Sequence, residues 1–313
     1  MLTLGCMSFD NAMTFGYQEE KDSIDTIKEA VKLGINFFDT AEMYGDGVTE
    51  EILGKAVADC KNSVVIASKF NPPHNGYDDV ITACENSLKR LNRDYLDLYQ
   101  IHWPNDDIPI EDTMLALLKL QEQGKIREIG VCNFGKIDIS KVLGYNVIAT
   151  NQMPYNLFMR GIEFEILPLM IENGVGLLTY SSLAQGLLSG KYKTADEFPQ
   201  SRARTRIFST EREFASHGEP GCEGDVFEAL AKIEVIAAEV GCPMSDLAIA
   251  WLLSQPGMTS VIAGGRTPAQ VTENAKGAEV TLSADVVKAL NDATDKVKQY
   301  IGTNPDPWNT RIK

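Results

Sequence analysis

The chain has 313 residues, 44% of them hydrophobic and 23% charged, and its formal net charge is -15. That length suits one large barrel or two modest domains, and the composition is that of an ordinary soluble globular protein. An acidic balance of this size argues against nucleic acid and anionic membrane as partners, because both repel it.

Residues 2–8 form a short apolar run and read as a first strand. Residues 19–33 carry Ile24, Ile27, Ala30, Val31 and Leu33 in a helical rhythm closed by Gly34. A second strand, 35–38, runs into Asp39 and a polar loop holding Tyr44. A helix over 48–60 leads to a third strand, 64–68, which runs into Lys69. Helix 79–91 precedes strand 96–101, which runs into His102. Next come helix 111–123, strand 126–131, helix 137–143, strand 147–150, helix 162–173 and strand 175–180. Helices over 225–240 and 245–253, a last strand over 259–263, and helices over 268–276 and 284–297 complete the chain.

Strand and helix thus alternate about eight times, at the length of a closed barrel of parallel strands. Several strands are nearly continuous apolar runs, as burial of both faces demands. An open doubly wound sheet would need a G-x-G-x-x-G turn after an early strand, and the chain has none. No linker or change of composition divides it. The expectation is an α/β fold, a (β/α)8 TIM barrel, as a single domain over 1–313.

Residues 181–224 break the rhythm. Loops this long are usually functional or disordered. This one concentrates Lys191, Lys193, Arg202, Arg204, Arg206 and Arg212. Two readings stay open: a solvated surface loop, or a lid whose cations close over cofactor phosphates. The 6 cysteines, Cys6, Cys60, Cys84, Cys132, Cys222 and Cys242, form no Cys-x-x-Cys pair and have no His at metal-ligand spacing. They read as reduced thiols of a cytoplasmic protein. The first residues have no basic region followed by a long apolar run, so they are not a signal peptide. No segment approaches the roughly 20 apolar residues of a membrane span.

Asp39, Tyr44, Lys69 and His102 each lie at or just past the C-terminal end of a strand. Closing the sheet into a barrel brings such positions together on the active-site rim. Taken singly, Asp39, Lys69 and His102 have plain readings: a helix cap, a solvated lysine and a strand cap. Together, in Phe37-Phe38-Asp39-Thr40-Ala41-Glu42-Met43-Tyr44-Gly45, Ala67-Ser68-Lys69-Phe70 and Tyr99-Gln100-Ile101-His102-Trp103-Pro104, they resemble the catalytic tetrad of the aldo-keto reductases. The resemblance continues through Val131-Cys132-Asn133-Phe134, Asn151-Gln152, 180–192 and 261–274, in the family's order.

The resemblance implies NADP(H)-dependent reduction of an aldehyde or ketone to an alcohol. Tyr44 would be the general acid. Lys69 would lower the phenol's pKa, Asp39 would hold Lys69 charged, and His102 would orient the carbonyl oxygen. The resemblance also implies that Asn133 and Gln152 bind the nicotinamide carboxamide and that Tyr180 stacks on the ring. It assigns Ser181, Leu183, Gln185, Gly186 and Lys191 to the coenzyme as well. Gly264 and Arg266 open a helix N-terminus suited to phosphate, with Arg266 meeting the ribose 2′-phosphate. Gln270, Glu273 and Asn274 face the adenosine.

Relatives often have Pro where this chain has Ser182, and Ser where it has Cys132. They usually begin with a β-hairpin under the barrel, which this chain lacks; either the bottom is capped differently or the start is internal to a longer natural chain. Trp103, Phe70, Tyr17 and Ile108 are expected to line an apolar pocket. The expected partner is a small-molecule carbonyl substrate, with no metal, nucleic acid or membrane, and oligomeric state has no signature here. Two rivals stand beside this reading. One is an NADP-binding regulatory protein of the potassium-channel β-subunit type with little turnover. The other is a barrel isomerase or aldolase using Lys69 as a Schiff base, which leaves Tyr180 and Arg266 unexplained.

Overall fold

Side chains alternate across each strand, and this chain buries both sets. Phe37, Ala67, Leu98, Leu178 and Ile262 point to a small inner core, while Phe38, Ile66, Tyr99, Ile101, Val131 and Leu177 join a much larger outer one beneath the helices. The computed structural model, which describes residues 1–10, 16–309 and 312, places these side chains on a closed barrel. The strands are β1 (Leu2–Gly5), β2 (Phe37–Asp39), β3 (Val65–Phe70), β4 (Leu96–Ile101), β5 (Ile126–Cys132), β6 (Ile148–Pro154), β7 (Gly176–Tyr180) and β8 (Met258–Gly264), all parallel and in chain order. Pairing of β1 with β8, Gly5 opposite Gly264, closes the ring.

The outer layer consists of α1 (Glu20–Lys32), α2 (Val48–Ala56), α3 (Tyr77–Leu91), α4 (Ile110–Glu122), α5 (Lys136–Leu143), α6 (Ile166–Glu172), α7 (Glu223–Val240), α8 (Met244–Leu253), α9 (Pro268–Gly277), α10 (Ala284–Ala293) and α11 (Asp295–Ile301). α1 illustrates why they form. Ser23, Thr26, Ile27 and Ala30 give it one buried face. Gly34, at φ +81°, then turns the chain out of the helix. Among the described residues, no single helix is long and apolar enough to cross a membrane.

Several boundaries differ from expectation. β3 runs through Phe70 and β6 through Pro154, so Lys69 and Gln152 lie on strands rather than beyond them. The first strand stops at Gly5, and Met7–Phe9 is a turn of 3-10 helix. The expected helix over 284–297 is two helices. It breaks at Thr294, whose hydroxyl donates to the Leu290 carbonyl and accepts from Arg160.

The long stretch after β7 is packed. Phe198, Ala203, Ile207 and Phe208 are buried, and Phe198 stacks on Phe208 with ring centroids 5.0 Å apart. Lys193 pairs with Glu234, Arg206 with Glu219 and Arg212 with Glu223. Arg206 also donates to the carbonyls of Ile301, Asn304 and Asp306, fastening the C-terminal tail to this stretch. These three cations are spent on structure, which corrects the reading of all six as a phosphate lid.

Gly221 sits where the stretch folds back, at φ +75°, and a Cβ there would fall 2.3 Å from the Phe208 carbonyl carbon. Both the conformation and the contact exclude a side chain. We expect Gly221→Ala to destabilise the protein by more than about 1 kcal/mol. An unchanged urea midpoint would overturn this account of the fold-back.

Candidate active site

The strands that present the tetrad also set its layer. Phe37 and Asp39, Ala67 and Lys69, Leu98 and Gln100 are successive inward positions on β2, β3 and β4. Each apolar member therefore lies one layer below a polar one. Lys69 is fully buried. Its Nζ donates to Asp39 Oδ2 at 2.7 Å, the Thr40 carbonyl at 2.8 Å and Tyr44 Oη at 3.2 Å. An ammonium has three N–H donors, and all three are used.

The other oxygen of Asp39 accepts from Gln152 Nε2 at 2.8 Å and from Gln100 Nε2 at 3.5 Å. Gln152 Oε1 accepts from the Cys132 thiol at 3.6 Å. Asn133 Nδ2 donates to Cys132 Sγ at 3.1 Å and to the His102 carbonyl at 3.0 Å, while its Oδ1 accepts from Tyr180 Oη at 2.7 Å. One hydrogen-bonded chain therefore joins Tyr44 to Tyr180.

The loop bearing Tyr44 is stapled at both ends. Thr40 and Thr49 hydroxyls meet at 2.7 Å. Buried Glu50, at the start of α2, accepts from Ser68 Oγ at 2.5 Å and from Arg90 Nε at 2.6 Å. Ser68 is the β3 neighbour of Lys69, so phenol and ammonium are held through adjacent residues. Gln100 and this staple escaped the sequence reading. The signal for Gln100 was its place two residues before His102, on the same strand face.

The electrostatics change one expectation. Burial of the Tyr44 hydroxyl pushes its pKa up to about 12; Lys69 pulls it down but does not win. This corrects the expectation of a net lowering by Lys69. Burial alone would lower Lys69, yet Asp39, with Tyr44 adding, leaves it raised and firmly charged. Burial and then the Lys69 charge hold His102 well below the ordinary imidazole range, so it is neutral at neutral pH. Its ring meets that of Tyr44 edge-on, with centroids 5.8 Å apart.

Ser181, Ala184, Gln185 and Gly186 all have positive φ, so the chain past β7 curls tightly. Ser182, in place of the relatives' frequent Pro, donates to the Ile262 carbonyl at 2.5 Å and ties the curl to β8. Leu183 packs partly buried against the outer core. Gln185 Oε1, Ser189 Oγ and Arg204 Nε are buried with no protein partner. Arg202 Nη1 lies 3.5 Å from the Gln185 carbonyl. Ser181, Gln185, Arg202 and Pro307 share one cavity, while Lys191 is exposed beyond it. Ser181 and Arg202 bring a hydroxyl and a guanidinium to that cavity, groups that suit an anion such as a pyrophosphate.

Across the rim, Gly264 has open space where a Cβ would stand. The Arg266 N–H is taken by Gln270 Oε1 at 2.8 Å, and Asn274 Nδ2 donates to the Gly264 carbonyl at 3.0 Å. Glu273 is exposed on α9. The expected pocket is only partly assembled. Phe70 packs against Tyr99 in the outer core, with centroids 5.1 Å apart, because it alternates with inward Lys69. Its place in the pocket is corrected. Trp103 and Ile108 are half-buried and Tyr17 is exposed. Among the described residues, no group of three or more His, Cys, Asp or Glu is placed to hold a metal ion.

A parallel barrel with a Lys–Asp–Tyr–His cluster on its C-terminal rim, the lysine fully buried, defines a class that comparison with known proteins makes specific. The model of the Aldo/keto reductase family matches residues 1–295. The chain belongs to that family. It is 34% identical to the aldo-keto reductase YhdN of Bacillus subtilis (strain 168), over 92% of this chain and 88% of the relative. It is 31% identical to a probable voltage-gated potassium channel subunit beta of Arabidopsis thaliana, over 97% of this chain and 95% of that one. Among solved structures it is similar to an aldo/keto reductase from Klebsiella pneumoniae in complex with NADP and acetate. The TM-score is 0.76 at 27% identity, covering 100% of this chain and 94% of that one.

The state of His102 can be checked directly. We expect its ring to titrate well below 6.5 in nitrogen NMR of the folded protein. The unfolded chain would take that proton near 6.5, and the folded one would not. Stability should therefore fall as pH drops through 6.5 and level off below the lowered value. A midpoint for His102 at or above 6.5 would contradict the burial argument.

Proposed function

We propose that this chain is an NADP(H)-dependent oxidoreductase that reduces an aldehyde or ketone to an alcohol, with all the machinery on one barrel domain. The observation that carries the reading is the 3.2 Å contact between Lys69 Nζ and Tyr44 Oη inside a buried network. NADPH, when bound, supplies the hydride that reaches the carbonyl carbon. Tyr44 gives its hydroxyl proton to the carbonyl oxygen, and Lys69 stabilises the phenolate left behind. Asp39 keeps Lys69 charged. Neutral His102 hydrogen-bonds the carbonyl oxygen and orients it toward Tyr44.

The residues fit the coenzyme. An amide NH2 has two donors, and Gln152 spends one on Asp39, so one remains for the nicotinamide carboxamide. Asn133 would share that end, with Tyr180 against the ring. Ser181, Leu183, Gln185, Gly186 and Lys191 would hold the pyrophosphate side, with Arg202 beside them. Gly264, Arg266, Gln270, Glu273 and Asn274 would take the adenosine end. The free cysteines support a reducing, cytoplasmic setting.

A Schiff base needs a neutral amine, and Lys69 is held charged with every donor occupied. A regulatory reading, coenzyme binding with little turnover, draws on the likeness to the channel subunit. Steady-state NADPH oxidation over aldehydes, ketones and sugars separates it from the metabolic one.

We expect Tyr44→Phe to bind NADPH normally and to lose at least ~100-fold in turnover. Borohydride should trap no substrate on Lys69. Near-normal reduction by the variant would defeat the assignment of the acid, and an adduct on Lys69 would move the protein to the Schiff-base class. Arg266→Ala should loosen NADPH about tenfold, the size of one charged hydrogen bond, and leave NADH nearly unchanged. Equal loosening of both would assign Arg266 to the helix or the shared pyrophosphate instead.

A further inference from the structure

We infer that Gln18 tunes the choice between NADPH and NADH by competing with the 2′-phosphate for the Arg266 side chain. This rests on the proposed role of Arg266 toward that phosphate.

Arg266 is already engaged by the chain's own segment between β1 and α1. Its Nε donates to Gln18 Oε1 at 2.8 Å, and its Nη2 donates to the carbonyls of Gly16 at 3.1 Å and Tyr17 at 3.0 Å. Gln18 returns the contact, because its Nε2 donates to the Arg266 carbonyl at 2.8 Å. Gln18 is thus a two-way clasp between the segment and a residue just ahead of α9.

The geometry of a guanidinium makes this a competition. It grips a phosphate in two-point fashion along one of two edges, Nε with Nη2 or Nη1 with Nη2. Both edges use Nη2, and both N–H bonds of Nη2 are given to carbonyls here. A two-point grip on either edge therefore displaces at least one contact of 16–18. NADH, which lacks the 2′-phosphate, asks for no such displacement. The selectivity that Arg266 can confer is its bond to phosphate less what the clasp costs to open. Among the described residues, Gln18 makes two of these four contacts, and of the groups assigned to the coenzyme it touches only Arg266, so its side chain contributes to that cost without serving the rest of the site.

Two variants at this position have opposite expected signs. Gln18→Ala removes both side-chain contacts and releases the segment. NADPH should tighten by about tenfold, the low end of one hydrogen bond to a charged group, while NADH changes less than about twofold. Gln18→Glu would pair its carboxylate with Arg266 and repel the phosphate. NADPH should weaken by about tenfold or more, again with NADH nearly unchanged.

Fluorescence titration of both coenzymes against wild type, Gln18→Ala, Gln18→Glu, Arg266→Ala and the Gln18→Ala/Arg266→Ala double variant makes the test. NADPH that binds unchanged or more weakly to Gln18→Ala overturns the inference, because the clasp would then present the guanidinium rather than withhold it. In the Arg266→Ala background, Gln18→Ala should no longer affect NADPH. If Arg266→Ala alone fails to weaken NADPH selectively, the proposed role of Arg266 falls, a result distinct from failure of the clasp. Hydrogen exchange gives a readout that does not depend on affinity. Amides of 17–19 in the wild type should exchange faster with saturating NADPH than with saturating NADH; equal exchange with both would overturn the displacement.

Discussion

A buried ammonium is the constraint on which the rest of this structure turns. Taking Lys69 out of water costs several kcal/mol unless partners replace its hydration. Asp39, the Thr40 carbonyl and Tyr44 replace all of it, at 2.7, 2.8 and 3.2 Å. Two of these come from the end of β2 and one from the loop beyond, while Lys69 itself lies on β3. Only a sheet that pairs β2 with β3 in the observed register brings them together. The requirement then passes outward. Asp39 needs donors for its second oxygen, which Gln152 and Gln100 supply from β6 and β4 across the barrel. Closure of the barrel, more than any local motif, keeps the charge on Lys69.

The same constraint accounts for the two layers of the barrel interior. Directly beneath the polar ring lie Phe37, Ala67, Leu98, Leu178 and Ile262. This plug gives the ring a dry floor. A dry floor strengthens the Lys69–Asp39 attraction and also raises the phenol of Tyr44 to about 12. The arrangement therefore favours the protonated phenol. A buried neutral His102 follows from the same floor and the same cation. Three protonation states thus come from one placement of charge.

Much of this was legible in the sequence, because the relevant signals are periodic. Strand–helix alternation announced the barrel, and the positions of Asp39, Tyr44, Lys69 and His102 relative to strand ends announced the rim. What stayed hidden depends on partners far away in the chain. The end of β3 was misplaced because Lys69 reads as a polar stop, and only the carboxylate on β2 lets it continue a buried strand. The break at Thr294 was hidden because Arg160, which its hydroxyl meets, lies 134 positions away. The six cations after β7 looked alike in sequence. That three of them serve the fold rests on Glu219, Glu223 and Glu234, whose pairing no periodicity reveals. Phe70 was misplaced for a simpler reason: neighbouring strand residues face opposite ways, and Lys69 had taken the inward position.

The two ends of the candidate site are built on different principles. At the reacting end every donor and acceptor around Lys69 is matched before any ligand arrives, and little can shift without exposing a buried charge. At the phosphate end the chain faces a harder electrostatic problem, since its net charge is -15 and the proposed coenzyme is a polyanion. Attraction has to come from a few local cations, and three candidates after β7 already serve the fold. Arg202 lines the cavity past β7, and Arg266 lies across the rim. Among the described residues, Arg266 is held by main-chain carbonyls and one glutamine rather than by a buried carboxylate. Such contacts are individually modest and exchangeable with phosphate, whereas the Lys69 cluster is not exchangeable with anything. On the proposed reading, changes at the phosphate end can therefore alter which coenzyme binds while the chemistry stays fixed, and changes around Lys69 cannot be made without disturbing Tyr44.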